Sequence, residues 1–521
     1  MKSSRNRLFV VSNRLPYVFS RGDDGRIHAE PSSGGLINAL VPVLRNRGGL
    51  WVGWPGTLDL GEKDLEPALK SIAKQWGYTL KPVTLTEKER DHFYYGFSNE
   101  VIWPLFHDLQ SNCNFNPDFW RTYQQVNRKF AQVITKNAGM DDYIWVHDYH
   151  FMEVARQLRM MGNHAKLGFF LHIPFPSLDI FLKLPWRFEI LRGLLEYDLI
   201  GFQTLRDRRN FIQCVRTLIK DVAVQGKGQV IKFSFPEPIL ESVRRDTQSG
   251  EREIQLGVFP IGIDYNYFSG LAASQEVGQL EKQFRDNVQN KQIILGVDRL
   301  DYTKGIPNRL EAFRNALTRF PELHRKVVFI QQVIPSRADI PEYHDLRLRI
   351  EQLVSEINGE FTDSGWVPIH YIFRSLTPTE LLAYYRAAEI ALVTPLKDGM
   401  NMVAKEFCAA NVGGNGVLIL SEFAGAAAQL QKNAFLVNPH DVESVADRIY
   451  EAFKMGQEDR RSRMKRLQRS IREFDIFWWV DSFLNAAIEK NLSDFAVVED
   501  YIPERRVRKV SLSPSKDHVV P

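Results

Sequence analysis

Short apolar runs recur along the whole chain, and most of them do not alternate with polar residues. LFVVSN (8–13), LWVGW (50–54), YIWVHD (143–148), KLGFFLHI (166–173), LIGFQ (199–203), IQLGVFPIG (254–262), QIILGVD (292–298), KVVFIQQV (326–333), IHYIF (369–373), IALVTP (390–395) and GVLILS (416–421) each have the length of a strand. An unbroken apolar strand needs cover on both faces, the situation in a parallel sheet flanked by helices. Segments with helical spacing, such as NPDFWRTYQQVNRKFAQVITKNA and RLEAFRNALTRF, lie between these runs. Repeated βα units of this kind predict doubly wound α/β domains.

A chain of 521 residues is too long for one ordinary core. A boundary is expected near PIGIDYNYF (260–268), because the segment 225–252 is polar and glycine-bearing and a fresh βα series starts at QIILGVD. The expected division is 1–260, then 261–485 with its last helices crossing back to the first domain, then a 486–521 extension whose basic, Ser/Pro-containing end reads as a disordered tail. Hydrophobic residues make up 44% and charged residues 25%, so most of the chain can bury a core. The net charge of +4 is too weak to argue for nucleic acid as a partner and would not repel an anionic small molecule. Cys113, Cys214 and Cys408 are far apart and form no CxxC pair, which argues against a disulfide framework or structural zinc site and fits a reducing cytoplasm. No apolar stretch approaches the ~18 residues of a membrane span, and LFVV is too short for a signal-peptide core.

In open α/β sheets, ligands bind outside the carboxyl ends of the strands. The chemistry should therefore follow the apolar runs. After QIILGVD come Arg299 and Lys304, a forked donor and a point charge on one loop, which suits a diphosphate; pairing with Asp298 or Asp301 is the alternative. After IALVTP comes Asp398-Gly399-Met400-Asn401 at the mouth of a helix, where free N–H groups attract anions and Gly399 would let backbone approach a ligand; Asp398 could equally be only a cap. Glu406, two turns on, could accept hydrogen bonds from a ribose diol. In the first half, Arg14 follows the first strand, Gly34-Gly35 precedes a helix, Asp148 is flanked by His147 and His150, and His172 leads into two prolines. These His and Asp residues lack a ligand spacing such as HxxxH, so hydrogen bonds to sugar hydroxyls suit them better than a metal. Tyr94, Tyr95 and Trp103 offer aromatic faces to a sugar or to the core, and Arg337 follows another strand as an anion ligand or a solvated side chain. Together they suit a sugar nucleotide and a second anionic substrate in an interdomain cleft.

VVSNRLP, GGL followed by GLWVGWPG, FSNEVIWPLFH, WVHDYH, FFLHIPFPS, GFQT, PIGID, RLDYTKG, PSR, TPLKDGMNMVAKEF and LSEFAGAA occur in this order. Residues from about 6 to 485 thereby resemble the α,α-trehalose-phosphate synthase (UDP-forming) family of glycosyltransferases. The resemblance implies a GT-B fold, two Rossmann-like domains facing across a cleft, and retaining transfer of glucose from UDP-glucose to glucose 6-phosphate with no metal or other cofactor. It implies that Arg14, Tyr94, Trp103, Asp148 and Arg337 bind the acceptor. The donor set is Gly34, Gly35, His172, Arg299, Lys304, Leu376 and the DGMNMVAKE string: Asp398, Gly399, Met400, Asn401, Met402, Val403, Ala404, Lys405 and Glu406. Arg299, Lys304, Asp398, His172 and Asp148 are the residues expected to carry catalysis. Candidate partners are a separate trehalose-phosphate phosphatase, since no DxDxT motif is present, other subunits of a trehalose synthase complex, and a second copy of the chain; nucleic acid and membrane are not expected.

Overall fold

The computed structural model describes residues 7–22, 26–31, 35–219, 221–226, 228–236, 251–289, 291–336, 341–488 and 501. Two large sheets organise them. The first is nine-stranded, in the order Thr79–Pro82, Gly49–Trp54, Leu8–Arg14, Tyr143–His147, Lys166–Phe170, Leu199–Phe202, Glu251–Val258, Val230–Pro236, Ala223–Gln225. It is parallel up to Glu251–Val258 and antiparallel beyond. The second is six-stranded and parallel throughout, in the order Ile369–Phe373, Val327–Ile334, Gln292–Arg299, Ile390–Val393, Val417–Ser421, Phe435–Val437.

Apart from IHYIF, which forms an edge of the second sheet, the unbroken apolar runs are inner strands of these sheets, and the reason is visible in the core. Phe9 and Val11 point into one buried cluster and Leu8 and Val10 into another, so the first strand is covered on both faces. Several elements lie outside the expected apolar runs, among them the edge strands Thr79–Pro82 and Phe435–Val437. Part of the 225–252 segment forms an antiparallel hairpin edge, with Phe233 and Phe235 buried on alternate positions. Tyr17–Arg21 and Ile27–Pro31 make a small two-stranded sheet. Arg90–Ile102, which carries Tyr94 and Tyr95, winds as a π-helix that leads into the Trp103–Phe106 turn of α-helix.

Strand order reverses between Leu8–Arg14 and Tyr143–His147 in the first sheet, and between Gln292–Arg299 and Ile390–Val393 in the second. A doubly wound sheet opens its crevice at such a switch point. Arg14 and Asp148 leave the first, and Arg299 and the Thr394–Asp398 loop leave the second.

The helix Ile476–Ile488 returns to the first sheet. The Phe483 ring stacks on Trp145 at 4.3 Å and 7°, and Trp479 lies 5.1 Å from the same indole. Two glycines make room for it: a Cβ on Gly201 would lie 2.8 Å from the Phe483 ring, and one on Gly168 3.0 Å. Among the described residues no helix is long and apolar enough to cross a membrane. Because Phe483 is fully buried, Phe483→Ala is expected to cost about 3–5 kcal/mol in denaturant unfolding. A loss under about 1 kcal/mol would show that this helix does not seal the first sheet.

Candidate active site

The second sheet presents its strand ends through one buried guanidinium. The helix Ile306–Arg319 turns Ile306, Leu310, Phe313 and Leu317 inward, and Arg309 lies on that same apolar face, 1% exposed. Arg309 is ion-paired with Asp298. Its Nε donates to Thr394 Oγ1 at 3.0 Å, Nη1 to Gln331 Oε1 at 3.1 Å, and Nη2 to the Lys304 carbonyl at 3.3 Å. One side chain thus ties together three adjacent strands and the loop that follows the middle one. Asp301 finishes that loop by accepting from the Thr303 N–H at 3.0 Å.

Arg309 takes Asp298 as its ion-pair partner, although Lys304 still acts on that carboxyl through space. Lys304 Nζ lies 2.6 Å from Asp398 Oδ2. Burial alone would push the Asp398 carboxyl up, but Lys304, with help from His107 and Asn401, holds it below its ordinary range. Asp398 is not the helix cap. Asn401 is, at φ 78°: its Oδ1 accepts from the Ala404 N–H at 3.1 Å and its Nδ2 donates to Asp398 at 3.2 Å. The first turn of Met402–Ala410 keeps further N–H groups unspent inside the helix.

Around this end lies a cavity of about 320 Å³, lined by His172, Arg299, Lys304, Asp398, Met400, Asn401, Met402 and Val403, with Gln203 and Ile261. The two sheets therefore share it. Four members of the DGMNMVAKE string, Gly399, Ala404, Lys405 and Glu406, are not in that lining. Gly399 is needed for a backbone contact, since a Cβ there would sit 2.1 Å from the His172 carbonyl oxygen. Ala404 is fully buried. Lys405 is fully buried too; its Nζ turns into the core and donates to the Ile261 carbonyl at 2.7 Å, with burial lowering it to about 7. Glu406 lies one turn past Met402, accepts from Tyr385 Oη at 3.0 Å, and is raised by burial to about 7.

On the first sheet, the Arg14 guanidinium lies 4.0 Å over the Trp54 ring and 5.8 Å from Tyr94. Gly56, at φ 88°, leaves it that space, because a Cβ would come within 2.1 Å of Nη1. Tyr94 stacks on His150 at 6.0 Å and hydrogen-bonds Arg14, whereas Tyr95 faces Arg90 and the core of the second sheet while still acting on Arg14 through space. Trp103 packs on His107 at 4.3 Å and meets Arg299 at 5.9 Å across the cleft. Asp148, in a left-handed conformation at φ 76°, accepts from the His172 N–H at 3.2 Å. Burial raises its carboxyl to about 7 against two backbone donors and Arg299. His172 is held neutral, its pKa lowered by burial to about 3. Lys397 Nζ and Asp108 Oδ2, at 2.5 Å, bridge the two halves beside these groups.

Leu376 lies on the loop after Ile369–Phe373, partly exposed and away from the cavity lining. Gly35 opens the helix Gly35–Arg47; Gly34 and Arg337 lie outside the described residues. Trp54 and Arg309 were not singled out from sequence. The signal for Arg309 is a charge among Ile306, Leu310 and Phe313 at helical spacing. Among the described residues no group of three or more His, Cys, Asp or Glu side chains could hold a metal ion.

Residues 6–489 match glycosyltransferase family 20, and the chain belongs to that family. It is 41% identical over 487 residues to the trehalose-6-phosphate synthase of Mycobacterium leprae, covering 93% of this chain and 95% of that protein. It is 41% identical over 479 residues to the same enzyme of Mycobacterium tuberculosis, covering 92% and 93%. The structure superposes on that of an α,α-trehalose-phosphate synthase (UDP-forming) from Burkholderia xenovorans in complex with glucose-6-phosphate, at TM-score 0.79 and 32% identity over 93% of this chain and all of that one. It also superposes on an E. coli structure bound with UDP-2-fluoro glucose, at TM-score 0.79 and 34% identity over 92% and 99%. The fold is GT-B, as expected.

Two outcomes follow from this geometry. Arg309→Met would strand Asp298 as an uncompensated buried charge and is expected to cost about 3–5 kcal/mol in denaturant unfolding, with much of that recovered in Arg309→Met/Asp298→Leu. Glu406 has a folded pKa above its unfolded one, so its contribution is fully present below the unfolded value and lost as pH rises through about 7. Glu406→Gln keeps the uncharged form. Its stability gain over the parent is expected to be about 1–3 kcal/mol larger at pH 8 than at pH 5. A pH-independent difference in paired melts would contradict that.

Proposed function

We propose that this chain is a retaining glucosyltransferase that moves glucose from UDP-glucose to glucose 6-phosphate, giving α,α-trehalose 6-phosphate and UDP. One observation carries the reading: Arg299, Lys304, Asp398 and a helix start line the same cavity as His172, while Arg299 also meets Trp103 from the other half. The family relatives are named trehalose-6-phosphate synthases, and related structures hold glucose-6-phosphate or UDP-2-fluoro glucose.

In this reading residues 261–485 take the donor and 1–260 the acceptor, with 486–521 an extension outside the reaction. The donor diphosphate lies between Arg299, Lys304 and the first turn of Met402–Ala410, where fixed donors stabilise the charge that develops on departing UDP. Asp398, kept ionised by Lys304, accepts from glucose hydroxyls. Glu406 accepts from the ribose, the backbone at Leu376 meets the uracil, and the Gly34-Gly35 loop closes over the donor. Arg14 and Arg337 hold the acceptor phosphate; Tyr94, Trp103 and Asp148 hold its sugar. The bridge between Lys397 and Asp108 and the seating of Gly399 on His172 favour a closed, water-poor site, which positions the acceptor hydroxyl at C1. Transfer runs on one face: the acceptor's anomeric oxygen bonds to C1 as the C1–O bond to UDP breaks, and a donor phosphate oxygen takes the acceptor proton. Two fixed cations and a helix start supply the positive charge that a divalent ion would otherwise bring. The protein works in the cytoplasm, and a separate trehalose-phosphate phosphatase, other subunits of a trehalose synthase complex or a second copy of the chain are its partners.

The test is purified protein with UDP-glucose and glucose 6-phosphate, with and without divalent metal, followed by mass and NMR of the product. The expected result is glucose 6-phosphate-dependent UDP release and an α,α-1,1 disaccharide phosphate in both conditions. Arg299→Ala and Lys304→Ala are each expected to lower kcat about 10²–10³-fold. Binding of either ligand without disaccharide would overturn the reading in favour of a regulatory sugar-phosphate binder.

A further inference from the structure

His147 sits behind His172, fully buried at the end of the Tyr143–His147 strand. Its Nδ1 is 3.2 Å from Nε2 of His172. Its ring packs 4.6 Å from Trp145 of the same strand and 6.2 Å from Trp479 of the returning helix Ile476–Ile488. Among the described residues nothing bonds its Nε2, which is buried.

That asymmetry fixes a proton. Burial holds both rings neutral, so each carries one N–H. An N–H buried without an acceptor costs more than a lone pair buried without a donor, and orphaned buried donors are correspondingly rare. The proton of His147 therefore belongs on Nδ1, where it meets a partner, and not on Nε2, where it would meet none. Nδ1–H then donates to Nε2 of His172. With that nitrogen accepting, the single proton of His172 is left on Nδ1. His172 lines the cavity, and Nδ1 is the ring nitrogen not committed to His147.

We infer that His147 is a positioning residue that fixes the tautomer of His172, so that the cleft receives an N–H donor suited to a hydroxyl oxygen of the transferred sugar. This deepens the glucosyl-transfer reading and rests on it for the identity of the sugar. The His172 backbone is fastened independently, its N–H to Asp148 and its carbonyl against Gly399. His147 thus governs what the ring presents and leaves where the residue sits to others.

The test uses full-length protein labelled with ¹⁵N-histidine, the His172 signals being those lost in His172→Asn. The unliganded parent is expected to show protonated Nδ1 and unprotonated Nε2 on His172. His147→Phe removes the donor. His172 should then populate the other tautomer, with kcat/KM for UDP-glucose lowered about five- to tenfold and affinity for UDP alone unchanged. His147→Asn places an amide N–H near the position of Nδ1 and is expected to restore both the spectrum and most of the activity; a purely packing role predicts no such rescue. A parent His172 protonated on Nε2 overturns the inference, as does His147→Phe with unchanged spectrum and kcat/KM. The tautomer is read without turnover, so its failure is distinct from failure of the transfer reading, which the product assay decides.

Discussion

A parallel sheet ends in loops that have no reason of their own to hold one another in place, and here one guanidinium supplies that reason. Arg309 reaches Asp298, Gln331, Thr394 and the Lys304 carbonyl at once, fully out of water. A guanidinium suits this because its donors fan out in a fixed plane, whereas an ammonium would offer a point charge. With Asp298 ion-paired to Arg309 below, Lys304 pairs with Asp398 above, and Asp398 in turn receives Asn401. The charged face of the cavity is thus assembled from the inside outward, each group oriented by one more deeply buried than itself.

The first sheet is tied to this face by backbone contacts more than by opposed charges. Gly399 rests on the His172 carbonyl, Lys405 donates to the Ile261 carbonyl, and the Ile476 N–H donates to the Ile263 carbonyl at 3.1 Å. The bridge from Lys397 to Asp108 is the exception, and neither of its residues lines the cavity.

The parallel core was legible in the sequence because strands covered on both faces cannot alternate, and those of Leu8–Arg14 and Gln292–Arg299 do not. The two outer antiparallel strands of the first sheet, Ala223–Gln225 and Val230–Pro236, were not. These strands are half polar and their pairing is antiparallel, so the signal seen at the central strands is absent there. Site residues were legible where they follow a strand at a switch point, as Arg14, Asp148, Arg299 and Asp398 do. What could not be read was direction. Asp398 and Asn401 are both good caps by type, and only the fold shows that Lys304 claims the first and leaves the cap to the second. Lys405 and Glu406 are neighbours in sequence, yet a helix turns them to different sides, one into the core and one toward Tyr385.

The carboxylates also bear on how configuration is retained. A covalent route needs an ionised carboxylate with a free oxygen at C1. Asp398 is held below its ordinary range with its Oδ2 engaged by both Lys304 and Asn401, contacts that lower the nucleophilicity of the carboxylate. Asp148 receives the His172 N–H through Oδ1 and is raised by burial to about 7, so near neutrality a large share of it carries a proton. Both side chains are better suited to receiving sugar hydroxyls than to attacking carbon. In the proposed reading neither carboxylate is the nucleophile, and a donor phosphate oxygen serves as base on the face where the acceptor arrives; Lys304, one of the cations assigned to that phosphate, sits on the loop that Arg309 braces.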